Sequence, residues 1–126
     1  MHELGITNSV IATCAAKAAE LGAATRVTHV TLEVGKLAAV MPEALRFCFD
    51  CCAMGTPVEG AELEIIEIAG RARCRDCGAE QTVTQLFGQC TCGGFALQMI
   101  AGEELRIRQM EVTECAQYAD APTRTM

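Results

Sequence analysis

The chain has 126 residues, with 51% hydrophobic side chains, no Trp, one Tyr, four Phe, and 10 Lys+Arg against 16 Asp+Glu for a formal net charge of −6. That length predicts one domain, or one domain carrying a small lobe, with a core of aliphatic side chains, Ala and Cys. The negative charge disfavours nucleic acid and anionic membrane as partners. No apolar run is long enough to span a bilayer or sits behind a basic segment as a signal peptide would. Nine cysteines, an odd number, then point to a reducing cytosol, where thiols stay free or bind metal.

The chain opens Met1-His2-Glu3-Leu4. The α-amine of Met1, the amide nitrogen and imidazole of His2, and the amide or carboxylate of Glu3 can close fused small rings around one ion. Such a nitrogen-rich tetragonal set suits Ni(II) or Cu(II) and not Mg²⁺ or Ca²⁺. Chemistry alone favours an idle terminus with an incidental His, because most termini are idle. From Leu4 to Leu21, Ile6, Val10, Ile11, Cys14, Ala18 and Leu21 recur at helical spacing, and Gly22 stops the helix. Cys14 falls on the apolar face and reads as a small buried hydrophobe.

Arg26 to Val34 alternates, with Val30, Leu32 and Val34 on one face and His29, Thr31 and Glu33 on the other, a half-buried strand. His29 reads as a solvent-facing strand residue. Met41 to Met54 is the second helix: Pro42 fits its first turn, Leu45, Cys48, Phe49 and Cys52 share a face, and Gly55 follows. Consecutive Cys51 and Cys52 diverge on a helix, so Cys48, Cys51 and Cys52 do not form one compact metal site. Ala61 to Ile68 is the second strand, parallel to the first because a helix connects them. Further strand character appears at Gln81 to Phe87, at Leu97 to Ile100 and at Leu105 to Val112, the last completing the sheet. The tail from Ala116, with Tyr118, Pro122 and Thr125, lacks periodicity and is expected to be mobile.

The most informative stretch is Arg73-Cys74-Arg75-Asp76-Cys77-Gly78 followed by Cys90-Thr91-Cys92-Gly93-Gly94. Each turn aims two thiolates at one point, and four sulfurs close a tetrahedron around Zn²⁺. The competing readings are two disulfides, which the expected compartment disfavours, and a redox Cys-x-x-Cys. The redox motif usually opens a helix, whereas Cys77-Gly78 reads as a turn feeding a strand. Four ligands leave no open position for catalysis. The expected organisation is α+β: two helices packed on a three-stranded mixed sheet (1–70 and 95–115), a small inserted zinc-ribbon-like lobe (71–94), and the tail (116–126). Such a lobe is too small to bury a core of its own, so metal must supply its folding energy.

Taken in order, Met1-His2-Glu3-Leu4, Leu32-Glu33-Val34-Gly35-Lys36-Leu37, Pro42-Glu43-Ala44-Leu45-Arg46-Phe47, Gly60-Ala61-Glu62-Leu63-Glu64-Ile65, the paired cysteines and Gly102-Glu103-Glu104-Leu105-Arg106-Ile107 resemble the hydrogenase maturation nickel metallochaperone family (HypA/HybF type). The resemblance covers residues 1 to about 115. It implies a nickel lobe and a zinc lobe, and a non-enzymatic cytoplasmic protein that delivers Ni(II) to the large subunit precursor of [NiFe]-hydrogenase with a GTPase maturation factor. Some members serve urease. Carried over by position, it makes His2 the nickel ligand, with Met1 and Glu3 in the same motif, and Cys74, Cys77, Cys90 and Cys92 the zinc ligands. It thereby reverses the reading of the terminus as idle. The chain departs from the family's usual pattern in its second knuckle, Cys90-Thr91-Cys92, which is one residue short, with Gln89 standing where a third Cys would align. The resemblance leaves monomer and homodimer open.

Two other classes of function are weighed against it. A zinc-ribbon module binding protein or nucleic acid would use a basic or aromatic face, for which the lobe offers Arg71, Arg73 and Arg75 with Phe87 and Phe95. A Cys₄ iron site would make the protein an electron carrier. No nucleophile–base pair and no phosphate-binding glycine loop argues for catalysis.

Overall fold

A computed structural model describes residues 2–114, of His2 the backbone only. Met1, Cys115 and the tail expected to be mobile lie outside the described residues. Eight elements follow in order: α1 (His2–Leu21), β1 (Thr25–Gly35), α2 (Pro42–Ala53), β2 (Glu62–Ile68), β3 (Gly70–Cys74), β4 (Glu80–Val83), β5 (Leu97–Ala101) and β6 (Leu105–Glu114). They form two three-stranded sheets, ordered β2-β1-β6 and β4-β3-β5. The described chain divides into two compact units, 2–31 with 41–64 and 107–114, and 32–40 with 65–106.

In the first unit, α1 buries Thr7, Val10, Ile11, Cys14 and Ala18, a stripe at the spacing of one helix face. Thr7 is a polar member of that stripe. Its hydroxyl is satisfied within the helix by the carbonyls of Glu3 and Leu4, each at 3.0 Å, and lies 3.8 Å from Cys52 Sγ on α2. Burial therefore costs it no hydrogen bond. Leu21, expected on the apolar face, is 57% exposed. The helix stops where expected, with the Gly22 N–H reaching the carbonyls of Ala18 and Ala19. On α2, Pro42 takes the first turn and Leu45, Phe49 and Ala53 are buried. Cys48 and Cys52 are only half-buried and Cys51 is exposed, so the core face is rotated slightly from the one the apolar spacing marks.

β1 is the middle strand of its sheet and is buried on both faces over Val30, Thr31 and Leu32. Each fully buried Val or Leu contributes roughly 1.5–3 kcal/mol. Thr31, expected to face solvent, is covered and its hydroxyl reaches Glu64 Oε1 at 3.5 Å. The Lys36 N–H bonds the Ile68 carbonyl and Thr31 lies beside Glu64, so β1 and β2 run parallel. The Gly35 N–H bonds the Glu104 carbonyl and the Thr28 hydroxyl bonds the Glu111 carbonyl, so β6 runs antiparallel to β1. The sheet is thus mixed and the fold α+β, as expected.

The second unit holds a strand the sequence pattern does not announce. β3 pairs antiparallel with β4 (Arg73↔Glu80, Arg71↔Thr82) and with β5 (Arg73↔Gln98, Cys74↔Leu97). β4 ends at Val83, short of the expected Phe87, which is 85% exposed. At one edge of this unit three glycines crowd together. A Cβ on Gly35 would sit 1.9 Å from the Gly102 carbonyl oxygen, and one on Gly102, at φ +111°, 2.5 Å from Gly70 Cα. Leu37 is anchored in the same place, its N–H donating to the Gly102 carbonyl at 2.7 Å.

Gly102→Ala combines left-handed backbone strain with a backbone clash, and is expected to cost about 2–4 kcal/mol. Gly5→Ala, on an open helical surface, is expected to add up to about 1 kcal/mol. Urea unfolding of the two variants beside the parent chain measures both.

Candidate metal centre

The four cysteines of the paired motif converge at one end of the β4-β3-β5 sheet. Cys74 closes β3, with its N–H on the Ala79 carbonyl at 2.9 Å and its carbonyl taking the Gly78 N–H at 2.8 Å. Gly78 sits at φ +80°, which an L side chain adopts only with strain. The turn carries Cys77 back toward Cys74. The second knuckle reaches the same closure with one residue fewer. The Cys90 N–H donates to the Gly94 carbonyl at 2.8 Å, the Gly93 N–H to the Cys90 carbonyl at 2.9 Å, and the Cys92 N–H points at Cys90 Sγ at 3.5 Å. Gln89 adds its side-chain amide to the Gly93 carbonyl at 2.8 Å.

Cys74 Sγ lies 3.7 Å from Cys92 Sγ, and Cys77 Sγ 3.6 Å from Cys90 Sγ. All four sulfurs fall within 4.8 Å of one another. Sulfurs at the corners of a tetrahedron with bonds of about 2.3 Å to a central ion stand about 3.8 Å apart, so the four fit a tetrahedral M–S₄ site. A disulfide needs about 2.05 Å, and the eight described cysteines are all free. No helix opens at Cys77, which removes the usual setting of a redox dithiol.

The thiols do not ionise alike. Cys90 is drawn down to about 6, first by the Cys92 N–H and then, against the cost of burial, by its thiol neighbours. The Gly94 N–H pulls Cys92 down, but Cys90 and Cys74, with burial and Cys77, outweigh it and push Cys92 up to about 12. For Cys77 the Ala79 N–H is likewise outweighed, chiefly by Cys90 and burial, and the thiol rises above its ordinary value. One thiolate forms readily, and its charge holds protons on its neighbours. Among the described residues no other His, Cys, Asp and Glu side chains gather three ligand atoms within that distance. Cys14 is buried and its thiol pushed up by burial, as fits a core residue.

At the other candidate site, α1 begins at His2, and Glu3 lies in its first turn. Glu3 Oε2 accepts the N–H of Met41, the residue ahead of α2, at 3.1 Å. Met1 and the His2 side chain lie outside the described residues. The backbone amides at a helix start have no intrahelical acceptor, so those of His2 and Glu3 are not needed by the helix. His29 is half-buried on β1. Its ring nitrogens lie 3.6 Å from Glu64 Oε1 and 3.8 Å from Glu111 Oε2, on the two flanking strands.

Comparison with known proteins gives the chain a family. The model of the HypA family, hydrogenase/urease nickel incorporation metallochaperones, matches residues 1–112. The chain belongs to the HypA family. It is 51% identical over 114 residues to the hydrogenase maturation factor HypA of Trichormus variabilis and 52% identical over 115 residues to that of Rippkaea orientalis. Each match covers 90% of this chain and 97% of the relative. The fold is similar to the solution structure of the Ni metallochaperone HypA from Helicobacter pylori, with a TM-score of 0.63 at 22% identity, covering 89% of this chain and 97% of that one. A second solution structure, of a HypA protein, gives a TM-score of 0.68 at 23% identity, covering 90% and 97%. The four-cysteine cluster therefore lies in a chain of a nickel-handling family, whose members are named maturation factors and metallochaperones.

Any cation entering the cluster must displace the protons held on Cys77 and Cys92. Each displaced proton makes binding about tenfold weaker per pH unit of acidification. The affinity of the metal-free protein for Zn²⁺ is thus expected to fall at least about a hundredfold per unit between pH 8 and 6. Competition with a chromogenic chelator measures it.

Proposed function

We propose that this protein is a nickel metallochaperone for [NiFe]-hydrogenase maturation: it holds Ni(II) as cargo at its amino end and keeps a Zn(II) ion as a structural resident at Cys74, Cys77, Cys90 and Cys92. The family match over residues 1–112 carries the reading. The chemistry of the two donor sets supports the division of ions. Four soft thiolates in a closed tetrahedral set suit zinc and leave no position for exchange. Zinc there would cross-link two knuckles of a lobe with little core, tying β3 to the loop after β4.

At the amino end, the Met1 amine, the His2 amide and imidazole, and the Glu3 amide complete a planar nitrogen set for Ni(II). The Glu3 carboxylate is already engaged on the Met41 N–H, which favours the Glu3 amide as the fourth donor. The carboxylate instead ties the first turn of α1 to the residue ahead of α2. Such a chelate opens from its free end, one ligand at a time, which suits a protein that must release its cargo. Its imidazole and amide donors compete with protons, so acid releases nickel. Delivery is binding and transfer, not catalysis. The expected partners are the GTPase maturation factor and the hydrogenase large subunit precursor in the cytoplasm, with the protein acting as a monomer or a homodimer.

His2→Ala is expected to abolish nickel binding while leaving one zinc per chain, and one residue added ahead of Met1 is expected to do the same by moving the amine. Calorimetry with Ni(II), paired with elemental analysis, checks both; unchanged nickel binding in either protein defeats the amino-terminal site. Cys90→Ala is expected to lose the zinc and to raise amide exchange across β3, β4 and β5, leaving α1 protected. Retained zinc and unchanged exchange would remove Cys90 from the ligand set.

A further inference from the structure

The strand β3 presents two opposite faces. Gly70, Ala72 and Cys74 are buried, and the alternation that buries them turns Arg71 and Arg73 to the other side. Three of the chain's 10 Lys+Arg thus follow one another, Arg71 and Arg73 on one face of β3 and Arg75 in the turn just beyond it. Among the described residues a single carboxylate answers them. Glu80, across β4 from Arg73, pairs with Arg73 through one oxygen and with Arg71 through the other at 3.5 Å. Arg73 holds the Glu80 carboxyl below its ordinary range, first through its hydrogen bond and then through its charge. Arg71 also reaches Thr82 Oγ1 at 3.4 Å. Arg75 meets Gln98 Oε1 at 3.4 Å and no carboxylate among the described residues. Two net positive charges remain, on an exposed face of a chain whose formal net charge is −6.

We infer that this face of the β4-β3-β5 sheet docks a short extended segment of a partner protein that carries Asp or Glu at alternate positions. Carboxylates at alternate positions of an extended segment repeat with the same period as Arg71 and Arg73 on β3, and each guanidinium offers a fork that matches a carboxylate. Glu80 fixes two of the three arginines in advance, which lowers the entropy lost on docking. Gln98 and Thr82 offer neutral hydrogen-bonding groups beside the charges. A nucleic acid fits less well, because its unbroken run of phosphates extends over the acidic remainder of the chain. A short acidic segment makes its contacts locally. The inference does not rest on the amino-terminal nickel site, and its test needs no nickel.

The experiment titrates the full-length protein into a labelled peptide of alternating Glu and Thr and follows fluorescence anisotropy at low salt. Saturable binding that weakens as salt rises is expected. Arg75→Gln, which breaks no ion pair, is expected to weaken it about two- to fivefold, and Arg71→Gln with Arg75→Gln about tenfold. Glu80→Gln is expected to tighten it, which a merely structural face would not do. Zinc content and circular dichroism verify that each variant is folded. If Glu80→Gln unfolds, the arginine variants decide alone. Equal binding of an alternating Gln and Thr peptide, or binding unmoved by the arginine variants, overturns the proposal. So does tighter binding of oligothymidylate through the same arginines, which would make the face a nucleic-acid site. A salt-sensitive dimer abolished by Arg75→Gln would overturn it as well, since the occupant would then be a second copy of this chain.

Discussion

Four sulfurs held within 4.8 Å of one another set a problem that only a cation solves. The Cys92 N–H draws Cys90 into ionising early, and the thiolate so formed raises the cost of the next, so that Cys92 keeps its proton to about pH 12. Left to themselves the four would share one charge and a set of weak S–H contacts. That cannot hold together a lobe whose buried apolar side chains include little beyond Ala72 and two of the cysteines themselves. The fold around them makes sense as a frame for an ion. β3 lends rigidity to one knuckle, backbone bonds close the other, and the ion's charge takes the place of a core.

The proposed amino-terminal nickel site would obey the opposite requirement. A metal to be given away must be held by groups that can leave in sequence, and the start of a helix supplies such groups. Its first amides have no acceptor within the helix itself. The bond from the Met41 N–H to the Glu3 carboxylate matters here because it gives the first turn a fixed neighbour. The two proposed metal sites would share one small chain without competing because their donors barely overlap, soft sulfur against amine, amide and imidazole.

How much of this the sequence disclosed differs from element to element, for physical reasons. The 3.6-residue period of α1 and the alternation of β1 are strong because each element buries a whole face, and both elements are found where those patterns place them. β3 is silent because its buried face consists of Gly70, Ala72 and Cys74, residues too small to register as an apolar stripe, while its exposed face is arginine. Thr7 and Thr31 were legible as polar and not as buried. Their burial depends on acceptors, the Glu3 and Leu4 carbonyls and the Glu64 carboxylate, whose positions come only with the folded chain. The cysteines stood out because ligand spacing is a local property of the chain. Arg71, Arg73 and Arg75 were legible as a basic group, but that Arg71 and Arg73 share one face needs the strand they lie on.

The shortened second knuckle shows how local geometry can absorb a missing residue. A Cys-x-x-Cys turn presents two sulfurs by letting two intervening residues reverse the chain. Cys90-Thr91-Cys92 has only one, and the reversal is instead completed beyond the second cysteine. The Gly93 N–H returns to the Cys90 carbonyl, and the Gly94 carbonyl takes the Cys90 N–H. This transfers the demand for unusual backbone onto Gly93, at φ +95°. The turn through Gly93 thus does for this knuckle what a second spacer residue does elsewhere. The Gln89 amide on the Gly93 carbonyl secures the turn from outside the ring. The sulfurs arrive within 4.8 Å of their partners despite the lost residue, so the departure from the usual spacing changes how the turn is built and keeps the donor set it delivers.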